Sequence, residues 1–135
     1  MSNVFENCSK LKIANITDIN NVTNFTSMFY GCTSLKHFPV EYSLGSTFTS
    51  MFRSCYAITE INNMYFPNAS SCYDMFGSCT NLKSITFMNY GSGFISNMNS
   101  MFNACPSLVK IDGLSFKGMT SVALSFYSPY NEQTA

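Results

Sequence analysis

Apolar and polar positions along this chain fall into one phrase that returns about every 24 residues. It reads Met28-Phe29-x-x-Cys32-x-x-Leu35, then Met51-Phe52-x-x-Cys55-x-x-Ile58, Met75-Phe76-x-x-Cys79-x-x-Leu82 and Met101-Phe102-x-x-Cys105-x-x-Leu108. With an opening copy, Val4-Phe5-x-x-Cys8-x-x-Leu11, the spacings are 24, 23, 24 and 26 residues. Three positions before the methionine slot stand Phe25, Phe48, Cys72 and Met98, and ten after it Phe38, Ile61, Ile85 and Ile111. An apolar step near three fits neither the 3.6-residue period of a helix nor the two-residue period of a strand. It suits a coil that winds about an axis and turns one residue inward at each short step. Units of this length cannot bury their apolar side alone, so the array implies stacking.

The segment after each cysteine is the best strand. Leu35–Val40, Leu82–Phe87 and Leu108–Ile111 carry β-branched and apolar residues bounded by turn formers. Stacked side by side, they predict one parallel sheet with strands about 4.8 Å apart. The Asn/Ser/Thr/Gly-rich stretches Asn20–Ser27 and Asn89–Ser100 are the return arcs, with turns or one short helical turn at each Met-Phe pair. The extra residues of the longest copy fall near Tyr90-Gly91-Ser92-Gly93, where two glycines absorb a bulge. The expected fold class is therefore a mainly β repeat solenoid over residues 1–126. Its copies are anchored at Val4, Met28, Met51, Met75 and Met101, with a partial one at Ser125 and a tail over 127–135.

Only 10% of the 135 residues are charged, seven of each sign, which argues against a nucleic-acid partner. Hydroxyls and amides supply most of the polarity, so charge repulsion protects the surface poorly against association. No run approaches the roughly 20 apolar residues that span a bilayer, and no signal peptide is visible.

The pattern MFxxCxxLxxI with its NxT/S-rich lead-in resembles the BspA-like leucine-rich-repeat proteins, over Met1 to about Phe126. The resemblance implies a leucine-rich-repeat-like right-handed solenoid and a role in adhesion or recognition at a cell or virion surface.

Cys8, Cys32, Cys55, Cys79 and Cys105 share one slot, without the irregular spacing of a disulfide framework or the C-x-x-C of a zinc site. They read as a buried column of free thiols, with Cys72 also in the core. His37 is the sole histidine, so neither a His-based triad nor a His-pair metal site can be assembled. Glu6, Asp18, Glu41, Glu60, Asp74, Asp112 and Glu132 occupy different slots and form no acid/base dyad. Gly91-Ser92-Gly93 lacks the rest of a phosphate loop. The five N-x-S/T sequons, at Asn7, Asn15, Asn21, Asn24 and Asn68, are expected by chance in a chain this rich in those residues. No enzyme and no cofactor are expected.

One surface feature stands out. The outward strand slots hold Lys12, Lys36, Thr59, Lys83 and Val109 in one column, and Ile13, His37, Glu60, Ser84 and Lys110 in the next. Two accounts of this face stand: edge and surface solubility, or a mildly basic ligand face made of Lys12, Lys36, His37, Glu60, Lys83 and Lys110. The function expected is non-enzymatic recognition of a protein or glycan ligand. The alternative is a structural chain packed against neighbours in a larger particle. The Val4–Leu11 coil has no capping segment and is expected to be covered by another domain or chain.

Overall fold

Copies bond to one another along three separate rows, though not every pair of neighbours uses all three. In the computed structural model, which describes residues 1–38, 44–88 and 95–114, the first row is a parallel sheet. Its strands are β1 (Glu60–Met64), β2 (Ser84–Phe87) and β3 (Lys110–Asp112), in the order β1-β2-β3. Glu60 pairs with Ser84 and Ser84 with Lys110, while Ile61, Ile85 and Ile111 align one position on. The isoleucines suit a pleated surface with one side on the core, and Ile61 and Ile85 are buried. The second row follows the arcs as single parallel bridges, Asn24 to Thr47 to Ser71 to Asn97. Among the described residues there is no helix.

The third row runs through the Met-Phe segments. Alternate amides point along the stack: Phe5 N–H donates to the Met28 carbonyl, Phe29 to Met51, Phe52 to Met75 and Phe76 to Met101, each at 2.9 Å. The amides between them close local turns instead, as in Met28 to Phe25 (3.1 Å), Tyr30 to Ser27 (3.2 Å) and Cys32 to Phe29 (3.0 Å). Two left-handed residues per copy make this alternation possible. One slot holds Asn3, Ser27, Ser50, Asp74 and Ser100, and the other Asn7, Gly31, Ser54, Ser78 and Ala104, all with φ between +52° and +72°. Small polar side chains and glycine tolerate that region best. Gly113, at φ +79°, has a second reason to be glycine, because a Cβ there would overlap the Phe87 carbonyl of the preceding copy.

Stacking the copies aligns their side chains. Phe5, Phe29, Phe52, Phe76 and Phe102 form a column with ring centroids 5.6 to 5.8 Å apart and planes within 10° of parallel. Such offset stacks add to the burial of each ring. Phe25 and Phe48 begin a second column at 5.2 Å, and Phe66 lies on Phe48 at 4.2 Å, beside the slot where Cys72 replaces phenylalanine. Met28, Met51, Met75 and Met101 are fully buried in the same core.

One expected element differs. The Leu35–Val40 segment pairs only at His37, with Ile13, and forms no strand over its described part, residues 35–38. Pro39, which follows, carries no N–H for a ladder. The bulge at Tyr90–Gly93, the partial copy at Ser125 and the tail lie outside the described residues.

Phe52 and Phe76 are fully buried between neighbours, whereas Phe5 is only partly buried. Replacing either central ring by alanine is expected to cost about 3–5 kcal/mol, and Phe5→Ala distinctly less. Urea unfolding of the three variants checks this, and equal losses at all three contradict the stacked order.

Candidate functional site

The sheet row is interrupted. No backbone hydrogen bond or bridge joins residues 36–38 to residues 59–62, although the same two copies are bonded elsewhere. There, Asn24 bridges Thr47, Phe29 N–H meets the Met51 carbonyl, and Phe29 stacks on Phe52. The copies are thus held together behind and parted in front. A cleft of about 460 Å³ fills the opening, a volume within the usual range for ligand sites. One wall is Lys36, His37 and Phe38, and the other Thr59, Glu60, Ile61 and Asn62, with Ala57 below.

Strand geometry fixes which main-chain groups face the cleft. His37 is bonded away from it, donating to the Lys12 carbonyl (3.3 Å) and accepting from Ala14 N–H (2.9 Å). Strand alternation then turns the Lys36 carbonyl and the Phe38 N–H toward the opposite wall. On that wall Thr59 is bonded away, its carbonyl taking the Lys83 amide at 2.8 Å, so both main-chain groups of Glu60 face the cleft. Above these groups stand the exposed side chains of Lys36 and His37 on one wall, and of Thr59 and Glu60 on the other. Opposite charges therefore flank the opening without an ion pair between them among the described residues. Phe38 forms an apolar patch within, its ring tilted against Phe52 at 4.5 Å.

Of the six candidate ligand-face residues, the structure gathers Lys36, His37 and Glu60 at the cleft. Lys12, Lys83 and Lys110 are exposed on the sheet to either side. Phe38, read as an apolar slot, and Thr59, an outward slot outside the candidate face, complete the walls together with the free main-chain groups. The one irregularity of the sequence at this point is the short 23-residue spacing between Met28 and Met51.

The cysteine slot is a second ordered array, buried rather than open. Cys32, Cys55, Cys79 and Cys105 each donate a thiol hydrogen to the carbonyl of the preceding copy's phenylalanine: Phe5, Phe29, Phe52 and Phe76, at 3.0–3.1 Å. All are free, and burial raises each pKa from the ordinary 9.0, to about 11 for Cys32 and Cys105. Cys72, also buried, is pushed up to about 12. Cys8 departs from the expected buried column: it is exposed. Thiols this hard to ionise are poor nucleophiles.

Among the described residues the one buried charge is Asp74, whose carboxylate Oδ2 takes hydrogen bonds from Arg53 and from Ser50 Oγ (3.3 Å). Its other oxygen lies over Gly77, where a Cβ would overlap it. This pair ties adjacent copies and faces no cavity described here. Among the described residues no cluster of three or more His, Cys, Asp or Glu could hold a metal, and no helix is long and apolar enough to cross a membrane.

The model of a family described as Mycoplasma protein of unknown function, DUF285, matches residues 1–112. The chain belongs to that family. Its match covers the five copies from Val4 through Ile111, including both walls of the cleft. No curated protein and no solved structure matches the chain.

The thiols give a pH dependence with a definite sign. Their folded pKa values are raised, so the stability from burying them neutral is fully present below about 9 and lost as pH climbs through the raised values. The urea midpoint is expected to fall between pH 9 and 11, and less steeply in Cys55→Ala. Iodoacetamide on native protein at pH 8 should modify Cys8 alone. Rapid labelling of Cys55 or Cys79 without denaturant contradicts the buried array.

Proposed function

We propose that the chain is a non-enzymatic recognition module, a leucine-rich-repeat-type solenoid of the BspA-like kind that binds a protein or glycan through its exposed sheet face. The observation that carries this reading is the cleft between Lys36–Phe38 and Thr59–Asn62. It combines two facing charges, an apolar patch and open main-chain groups in one concave site. Its walls hold no nucleophile beside a base, and the lone histidine has no described hydrogen-bond partner for its ring. Binding, rather than bond breaking, is what such an arrangement serves. Surface display on a cell or virion follows from the family resemblance and is part of the same proposal.

A structural role in a larger particle is the second reading, supported by exposed apolar side chains. Val109 is 86% exposed, Ile13 55% and Val4 48%. Val4 belongs to the coil we propose is covered by another domain or chain, where the Val4 and Glu6 carbonyls accept no backbone hydrogen bond among the described residues.

Glycan and peptide arrays probed with the purified chain separate the two readings. Recognition predicts discrete ligands that Lys36→Glu and Glu60→Lys each weaken by about tenfold or more, about 1.4 kcal/mol, with the fold intact by circular dichroism. No ligand on either array, together with concentration-dependent growth of large particles, overturns recognition in favour of assembly.

A further inference from the structure

Resting on the recognition reading, we propose that the cleft takes an extended peptide segment, held by main-chain hydrogen bonds to the edge of β1 and to the facing residues 36–38. The walls present donors and acceptors in the order a strand requires. On one side are the Lys36 carbonyl and the Phe38 N–H, two residues apart and turned to the same side. On the other are the N–H and carbonyl of Glu60. These are the groups that elsewhere in the sheet join copy to copy, as Lys36 and Ala14 do with Lys12 and His37. Strand edges left open in this way are templates for another chain, and peptide recognition by strand addition uses them. A sugar would have little use for alternating amides and carbonyls at strand spacing. It would be served better by an exposed aromatic face, and Phe38 is half-buried with its ring against Phe52. Once the main chain is seated, one side chain of the segment can lie over Phe38 and Ile61, and the next faces outward near Lys36 and Glu60.

Residues 82–87 supply a suitable probe, because β2 is the strand of this sheet that pairs on both edges, with β1 and with β3. The acetylated, amidated peptide Leu-Lys-Ser-Ile-Thr-Phe is titrated into the ¹⁵N-labelled chain. The amides of Phe38 and Glu60 are then followed by chemical shift and by hydrogen exchange. Both amides are expected to shift and to gain protection on saturation. N-methylation of the peptide at the positions of Ser84 and Ile85, which removes one amide from each edge, is expected to weaken binding about tenfold or more. A scrambled peptide of the same composition should bind within a few-fold, since main-chain contacts do not read sequence. Unchanged affinity after N-methylation, shifts confined to other residues, or no binding at millimolar peptide each overturns the proposal. An array ligand that still depends on Lys36 and Glu60 when the peptide fails leaves the recognition reading intact and removes this one alone.

Discussion

Everything in this protein depends on alternate amides of each Met-Phe segment pointing along the stack rather than back into their own copy. Phe29 and Gly31 donate to the next copy at 2.9 and 2.8 Å, while Tyr30 and Cys32, between and after them, close turns. A segment that divides its amides in this way must reverse its backbone twist at both ends. The left-handed residues at the Ser27 and Gly31 slots do that. The conformation costs a non-glycine residue of order 1 kcal/mol, and it is repeated in every described copy. Stacking offsets that cost, because each copy satisfies its neighbour's carbonyls and buries its rings and methionines. The fold is consequently cooperative between copies and weak within any one of them.

The thiol slot follows from the same constraint. The carbonyl of each phenylalanine already accepts a turn bond, as Phe29 does from Cys32, and its second lone pair points toward the next copy. Only a small side chain with a weak donor fits there without leaving a strongly polar group short of partners. Cysteine meets both demands, with Sγ to oxygen distances of 3.0–3.1 Å in four successive copies. Asp74 shows the opposite solution in a neighbouring slot. There a charge replaces serine and is tolerated because Arg53 and Ser50, from the preceding copy, reach its carboxylate.

How much of this was legible depended on whether a feature recurs. The methionine, phenylalanine and cysteine columns repeat at fixed spacing, so their alignment could be read from periodicity alone. The left-handed slots repeat too, as Asn3/Ser27/Ser50/Asp74/Ser100, yet serine has many uses and the pattern does not by itself name a backbone angle. Exposure of Cys8 was hidden because the slot's environment comes from a different copy, and residue type says nothing about that. Lys36, His37 and Glu60 could be placed on one outward face. That they border an opening could not, since an opening is a missing hydrogen bond, and sequence records residues rather than absent contacts.

The opening itself has a local cause that the rest of the stack makes consequential. The copy from Met28 is one residue shorter than its neighbours on either side. A flat sheet would close over such a defect by shifting register. Here register is already fixed by the arc bridge at Asn24–Thr47 and by the amides of Phe25, Ser27, Phe29 and Gly31, which bond to the copy anchored at Met51. With both other rows holding the two copies in step, the sheet row is the one that parts. The result is the edge of β1 and the facing residues 36–38 kept open by a rigid frame, which lowers the ordering cost of filling them compared with an edge on a mobile loop. A single irregular copy in a regular array is thus sufficient to turn a stacking surface into a place where something else can bind.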